Sequence, residues 1–138
     1  EMKRKLITKT TAPPVKVVEH GYEYYTRSCL HGSIYCRRKL GYRSSEEVIL
    51  DSKIFSGTNK QVKYVLLSTD HNLLAYLVEQ EGEEVGTLYF KDLSRNLNFQ
   101  KEELDKVFNF VWGTNTQTIY YTVVDEQLRP YKVLAHKI

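Results

Sequence analysis

The sequence predicts an all-β protein made of part of a β-propeller, on three observations. Tyrosine, whose ring packs on a pleated sheet while its hydroxyl stays in water, supplies 11 of the 138 residues. Short apolar runs with strand periodicity alternate with polar turns along most of the chain. A unit of strand, tight turn, strand, longer loop and strand recurs at an offset of 45 residues, which places Tyr76 on Tyr121. A period in the forties is typical of propeller blades.

The first 14 residues are predicted as a linker or the end of a helix, because Pro13 and Pro14 stop helix continuation and favour extended backbone. Residues 15–138 are predicted as one partial propeller domain. A first strand begins at Val15, and a polar stretch at 101–106 is predicted to form one helical turn. The remaining predicted strands are 22–26, 34–38, 47–50, 62–67, 73–78, 85–91, 107–112, 118–124 and 131–136.

The number of blades limits what this chain can form. Closed propellers have roughly four to eight blades, and 138 residues provide about three. The ring is therefore not expected to close. The last hairpin, 120–124 with 131–136, is expected to present an uncovered face and an unpaired edge, which favours self-association. An open β-sandwich of the same length is the alternative fold.

Charge and hydropathy exclude several classes of protein. The net charge of +3 is too small to indicate a nucleic-acid binder, and the clusters Lys3-Arg4-Lys5 and Arg37-Arg38-Lys39 are predicted to be solvated surface. No apolar run approaches the roughly 20 residues of a transmembrane helix, and no secretory signal is recognisable. A cytoplasmic protein without a membrane partner is predicted. Because the chain begins with Glu1, it is expected to start inside a longer reading frame.

The two cysteines are predicted to be reduced thiols. A four-residue turn at 30–33 would place Cys29 opposite Ile34 and Cys36 opposite Arg27, so the thiols would not be cross-strand partners. A single pair in a chain of this size is not a disulfide framework. No third and fourth ligand occur at a spacing that would suit a metal site.

No residue set in the sequence predicts catalysis, a cofactor or a metal. No serine lies in a Gly-x-Ser-x-Gly nucleophile elbow. The acidic run 79–84 lacks the ligand spacing of a cation loop and is predicted as a solvated loop. Trp112 is predicted to be core rather than a ligand platform, and the scattered glycines form no phosphate cradle. Turn, edge or packing roles are predicted for all four histidines, His20, His31, His71 and His136.

Several stretches resemble the prolyl oligopeptidase family of serine peptidases, and most closely its oligopeptidase B branch. The resemblance to early propeller strands lies in "GYEYYTRSCLHGSIYCRRK" at 21–39. Two later stretches are similar to successive blades of the family, "LLAYLVEQEGEEVGTLYFKDL" at 73–93 and "VWGTNTQTIYYTVVDEQLRPYKVLAHKI" at 111–138. The segment "EMKRKLITKTTAPPV" is similar to the family's link between an N-terminal helical extension and the propeller.

The resemblance implies a seven-bladed propeller that covers an α/β-hydrolase domain with a Ser-Asp-His triad and admits only short peptides, cleaved after Arg or Lys. The partners it implies are the remaining blades, the hydrolase domain and short peptide substrates. This chain departs from the family's pattern by lacking the later blades and the hydrolase domain. It is predicted to be inactive by itself, with a gating and scaffolding role.

Two other functions remain open from the sequence. One is a stand-alone β-rich module that binds a protein or peptide through exposed edges or through the Arg37-Arg38-Lys39 strip. The other is a single-stranded nucleic-acid binder that uses tyrosine and arginine. The balanced charge along the chain and the strand-core spacing of the tyrosines argue against the second.

Overall fold

A computed structural model of the chain describes residues 17–29, 32–41, 46–98, 102–115, 117–127 and 129–138. The predicted linker at 1–14 and the turn residue His31 lie outside these ranges. The chain divides into two compact units, an N-terminal unit that ends at Asn59 and a C-terminal unit that starts at Lys60. Every strand pairing within the described ranges is antiparallel, so the all-β prediction is confirmed.

The N-terminal unit is a four-stranded sheet in which the order in space equals the order in the chain. Its strands are β1 (Val17–Glu19), β2 (Tyr22–Cys29), β3 (Gly32–Lys39) and β4 (Glu47–Asp51). A 3₁₀ helix, Ser52–Phe55, follows β4, and the Asp51 carboxylate caps it by accepting from the Lys53 N–H at 2.9 Å. A meander of four antiparallel strands is the arrangement expected of a blade.

The β2–β3 hairpin is tighter than the sequence predicted. Cys29 lies opposite Gly32 and Cys36 opposite Tyr25, so the predicted four-residue turn is wrong. Gly and Ser usually indicate a turn, but here the Ser52 side chain fixes the backbone of Ser33 in the ladder. The Ser33 N–H donates to Ser52 Oγ, and Ser52 Oγ donates to the Ser33 carbonyl, each at 2.7 Å. The two cysteines are still not cross-strand partners.

The C-terminal unit is a seven-stranded sheet with strand order β11-β10-β9-β7-β6-β5, and β8 pairs with β7 beside this path. Its strands are β5 (Lys60–Leu67), β6 (Leu73–Gln80), β7 (Gly86–Asp92), β8 (Leu97–Asn98), β9 (Leu104–Trp112), β10 (Thr118–Val124) and β11 (Pro130–Lys137). We call β5–β8 the second repeat and β9–β11 the third repeat, the N-terminal sheet being the first.

Strand β9 of the third repeat also pairs with a strand of the second repeat. Its start pairs with β7, where Leu104 lies opposite Leu88, and its end pairs with β10, where Trp112 lies opposite Ile119. Within the part of β9 that pairs with β7, Lys106 has a φ of 59°, and the register shifts between Gly86 and Leu88 of β7. The helical turn predicted within 101–106 is wrong for 104–106, because pairing with the edge of β7 outweighs local helix propensity.

The predicted repeat of 45 residues is confirmed in the backbone. Strand β6 begins at residue 73 and strand β10 at residue 118. The N–H of Leu93 donates to the carbonyl of Asn72 at 2.8 Å, and the N–H of Ile138 donates to the carbonyl of Gln117 at 2.8 Å. Both pairs tie the end of the third strand of a repeat to the turn before its second strand, so the two repeats share their internal connections.

The third repeat packs on one face of the second repeat. The buried cluster between them comprises Ala75, Leu77, Leu88 and Phe90 on one side and Val107, Phe110 and Ile119 on the other. Trp112 lies at this junction, as the sequence predicted: its Nε1 donates to the Leu66 carbonyl at 3.1 Å, and its ring meets Phe90 edge-on at 6.2 Å. One repeat therefore serves as the cover of the preceding one.

We expect alkaline unfolding to depend on Tyr76. Burial, followed by the influence of Tyr89 and Glu103, raises the pKa of Tyr76 to about 12. A folded-state pKa above the usual 10 favours the protonated hydroxyl, so the stabilisation is complete below pH 10 and is lost as the pH rises to 12. Tyr76→Phe should reduce the loss of unfolding free energy over this window by about 2–3 kcal/mol in urea titrations.

The matched control is Val78→Ala, because Val78 is buried on the same strand β6 and carries no titratable group. It should leave the alkaline slope unchanged. Equal slopes for wild type and Tyr76→Phe would contradict this assignment.

Candidate functional site

The third repeat has a face that points away from the second repeat. Tyr120 of β10 lies directly opposite Val111 of β9 and Ala135 of β11, and directly opposed residues of neighbouring strands point to the same side of the sheet. Thr122, two residues further along β10, is on this side too. Its opposite partners, Asn109 of β9 and Val133 of β11, share the same side. We call this side the outer face; it comprises Asn109, Val111, Tyr120, Thr122, Val133 and Ala135.

The outer face is uncharged, four of its six residues are apolar, and all but Thr122 are exposed. The exposed fractions are 58% for Val111, 44% for Tyr120 and 67% for Val133. None of its six residues is charged, although 27% of the chain is charged. Tyr131, exposed to 62%, extends the apolar surface along β11. Contiguous exposed apolar surface of this kind marks an interaction site, whereas single exposed apolar residues do not.

The edge of the sheet beside this face is also open. Among the described residues, β11 pairs only with β10. In the second repeat the equivalent strand β7 pairs along its outer edge with β8, where Asp92 lies opposite Leu97, and with the start of β9. The edge of β11 can therefore accept a further strand, as the sequence predicted for the last hairpin.

The N-terminal sheet holds a buried cation. The guanidinium of Arg37 donates to both carboxylate oxygens of Glu47, at 2.8 and 3.2 Å, and its carbon lies 4.1 Å from the ring centroid of Tyr22. Arg37 Nη1 is also 3.5 Å from the hydroxyl of Tyr24. The prediction of a solvated Arg37-Arg38-Lys39 strip is thus wrong for Arg37, because strand alternation puts residues 37 and 38 on opposite faces.

A second arginine of the same sheet makes an exposed pair. Arg27 binds both oxygens of Glu46, the shortest contact being 2.7 Å, and the Tyr25 hydroxyl donates to Glu46 Oε1 at 2.6 Å. These hydrogen bonds, that of Tyr25 first, lower the pKa of the Glu46 carboxyl. Burial and the bond to Glu46 raise the pKa of Tyr25 to about 12. The cluster fastens β2 to the residue that precedes β4.

The thiol of Cys36 is buried, and its Sγ lies 3.6 Å from the Ile34 carbonyl. Burial is the largest influence and raises the pKa of this thiol, with the Glu46 charge acting in the same direction. A protonated, buried thiol is a poor nucleophile and a poor metal ligand.

The described histidines have local structural contacts. His71 is buried in the turn between β5 and β6, and its backbone N–H donates to the backbone carbonyl of Ser68 at 2.9 Å. His136 Nε2 lies 2.8 Å from Glu102 Oε1, and its ring stacks on Phe90 at 6.0 Å. Within the ranges that the structure describes, no three His, Cys, Asp or Glu side chains come together in a way that could hold a metal ion.

Only part of the acidic run 79–84 forms the predicted solvated loop. Glu79 belongs to β6, where its carboxylate contacts Lys63 Nζ at 3.5 Å and accepts from Gln61 Nε2 at 3.1 Å. Residues 81–84 are exposed.

In the described part of the chain, no helix has the length and apolar character needed to cross a membrane.

In the C-terminal unit, the third repeat of antiparallel strands packs on the face of the second, and this arrangement defines the class of this protein as a β-propeller domain. The family described as "Prolyl oligopeptidase, N-terminal beta-propeller domain" matches residues 1–138. The chain belongs to this family, and the resemblance seen in the sequence is confirmed.

Three relatives place the chain near oligopeptidase B. "Protease 2" of Moraxella lacunata is 29% identical over 134 residues, which is 88% of this chain and 19% of that protein. The structure of oligopeptidase B from Leishmania major is 31% identical, with a TM-score of 0.77 over 89% of this chain and 18% of that one. Oligopeptidase B from Trypanosoma brucei is 25% identical, with a TM-score of 0.74 over 95% of this chain and 19% of that one. The chain thus spans about a fifth of each relative's length.

Proposed function

We propose that this chain is the non-catalytic, early-blade part of the propeller of an oligopeptidase B-like serine endopeptidase that cleaves short peptides after Arg or Lys. In that enzyme, residues 1–14 link a preceding segment to the blades, and residues 15–138 support and gate the active site. The catalytic serine, aspartate and histidine belong to a hydrolase domain on the same longer polypeptide, in the cytoplasm. The names of the relatives support the reaction, and the outer face supports the role of this chain.

The outer face carries the proposal because the preceding repeat shows how such a face is used. At the offset of 45 residues, Leu66 corresponds to Val111 and Leu88 to Val133. In the second repeat these positions are covered by the third repeat, and Leu88 is fully buried. The same positions of the third repeat are exposed. A further blade is the cover that the repeat requires, and a strand from it would pair with β11.

We expect a charge on the outer face to destabilise the longer polypeptide. Val133→Glu would bury an unpaired carboxylate under the covering blade, which costs several kcal/mol when no partner is available. The melting temperature should fall by at least about 5 °C, and hydrolysis of short peptides that end in Arg should fall with it. Differential scanning calorimetry and a fluorogenic peptide assay measure the two effects.

The matched control is Lys132→Glu on the neighbouring position of β11, which points to the other side of the strand and is exposed. It should change the melting temperature by less than about 1 °C. Equal, small effects of both substitutions would mean that the outer face is not covered, and would contradict the proposal.

The gating role has its own test. The longer polypeptide should cleave short Arg or Lys peptides and spare folded proteins, and residues 1–138 alone should cleave neither. Cleavage of folded proteins by the longer polypeptide would contradict the gating role. Cleavage by the isolated chain, or none by the longer polypeptide, would contradict the proposed reaction.

The open face and edge favour one other function, a stand-alone module that binds a protein or peptide. The two functions differ in the behaviour of the isolated chain. The propeller fragment should be marginally stable and should self-associate through the β11 edge, whereas the module should melt cooperatively as a monomer. Analytical ultracentrifugation across protein concentrations separates them.

A further inference from the structure

The outer face of the third repeat differs from its counterpart by an exchange of side-chain size. In the second repeat, Ala75 of β6 lies directly opposite Phe90 of β7. At the same offset of 45 residues, Tyr120 of β10 lies directly opposite Ala135 of β11. The small residue and the large aromatic residue have thus changed places between the two strands. The total size of the pair is nearly conserved, but the shape of the face is inverted.

The covering sheet of the second repeat is shaped around its large residue. Phe90 is buried, Trp112 meets its ring edge-on at 6.2 Å, and His136 stacks on it at 6.0 Å. Side chains of the third repeat thus surround Phe90, which projects from the third strand of the second repeat. Ala75, in contrast, is fully buried beneath the same cover and provides no projection.

In the third repeat the large side chain of the pair is that of Tyr120, and it lies over the turn between β9 and β10. A Cβ added to Gly113 would come within 3.0 Å of Tyr120 Cε2, so the ring lies directly against this glycine. The equivalent residue of the second repeat is Ser68, whose hydroxyl donates to Asp70 at 2.7 Å in a turn that has no large neighbour at position 75. The absence of a side chain at Gly113 therefore makes room for the Tyr120 ring. The small side chain of Ala135, which is exposed, leaves a notch in the outer face.

We propose that the blade covering the outer face fills the notch over Ala135 with a large apolar or aromatic side chain and leaves room for the Tyr120 ring, whereas the third repeat leaves room for Phe90 and closes over Ala75. This inference rests on the proposed function and adds to it a rule of recognition. A blade shaped like the third repeat would leave the notch empty and clash with the Tyr120 ring. The size exchange thus selects one neighbour and opposes packing of blades in the wrong order.

The test uses size variants in the longer polypeptide. Ala135→Phe overfills the notch, and its melting temperature should fall by about 3–6 °C. The series Ala135→Val, Ala135→Leu and Ala135→Phe should lower the melting temperature in that order, so a response is measurable even if the largest variant does not fold. The double variant Tyr120→Ala with Ala135→Phe, which reproduces the second repeat, should be no more stable than Ala135→Phe alone.

The controls keep side-chain size constant. Ala135→Ser and Tyr120→Phe should leave the melting temperature within about 1 °C of wild type. A double variant that restores the wild-type melting temperature would overturn the inference, since it would show a cover shaped like that of the second repeat. If Val133→Glu destabilises the protein and Ala135→Phe does not, the size rule is wrong and the proposed function stands. If neither has an effect, the proposed function itself is wrong.

Discussion

Replacing Glu47 by alanine should destabilise the chain by about 3 kcal/mol, because it removes both charge-assisted hydrogen bonds of this carboxylate to the buried guanidinium of Arg37. The side chain of Arg37 is 5% exposed, whereas that of Glu47 is 41% exposed. Water can thus solvate the acid but not the base. The ring of Tyr22 and the hydroxyl of Tyr24 also contact this guanidinium, but these neutral groups do not replace the charge of Glu47.

The same sheet provides the matched control for this prediction. Arg27 is 49% exposed, so Glu46→Ala leaves a cation that water can solvate. This substitution should cost only about 1 kcal/mol, chiefly for the lost hydrogen bond of Tyr25. Urea denaturation followed by far-ultraviolet circular dichroism measures both free energies of unfolding. Equal costs for the two substitutions would show that burial of Arg37 is not the cause.

The second large effect is expected at Gly86. A Cβ at this position would collide with the carbonyl oxygen of Val78 and lie 2.8 Å from the carbonyl carbon of the same residue. The obstacle is backbone of β6, which cannot move without breaking the β6–β7 ladder. Gly86→Ala should therefore cost about 3 kcal/mol in the same denaturation experiment.

Gly82→Ala separates lack of space from backbone strain. Gly82 has a φ of 86°, and an added Cβ would meet nothing within 4 Å. Its replacement should cost only about 1–2 kcal/mol for the left-handed conformation. A larger cost at Gly82 than at Gly86 would mean that the close approach of β6 and β7 is not limiting.

The repeat was the part of the fold that the sequence could predict, because it is encoded in the spacing of similar residues. Tyr76 and Tyr121 occupy equivalent positions of β6 and β10, as the offset required. The open last hairpin followed from counting blades. Both inferences depend on patterns that extend over many residues, so local errors do not affect them.

Features set by a single distant contact could not be predicted in this way. The hydroxyl of Ser52 keeps Ser33 in the β2–β3 ladder, and nothing in the residues around Gly32 indicates it. The burial of Arg37 depends on the face to which it points and on Glu47, ten residues later. The start of β9 at Leu104 depends on the available edge of β7.

The candidate site was partly accessible from the sequence. An uncovered last hairpin predicts an exposed face, but only the cross-strand register shows which residues share it. With the register known, the exchange between the Ala75–Phe90 and Tyr120–Ala135 pairs can be read directly from the printed sequence at the offset of 45 residues. The missing signal was therefore the pairing of strands rather than the identity of the residues.

The size of the native product tests the central claim most directly, that this chain is the early-blade part of a larger peptidase. An antibody against residues 21–39 would detect it in the source cells, and the captured product would be assayed on short peptides that end in Arg. We predict a band several-fold larger than 16.2 kDa, with peptidase activity that a serine-directed inhibitor abolishes. A band at 16.2 kDa without activity would contradict the claim.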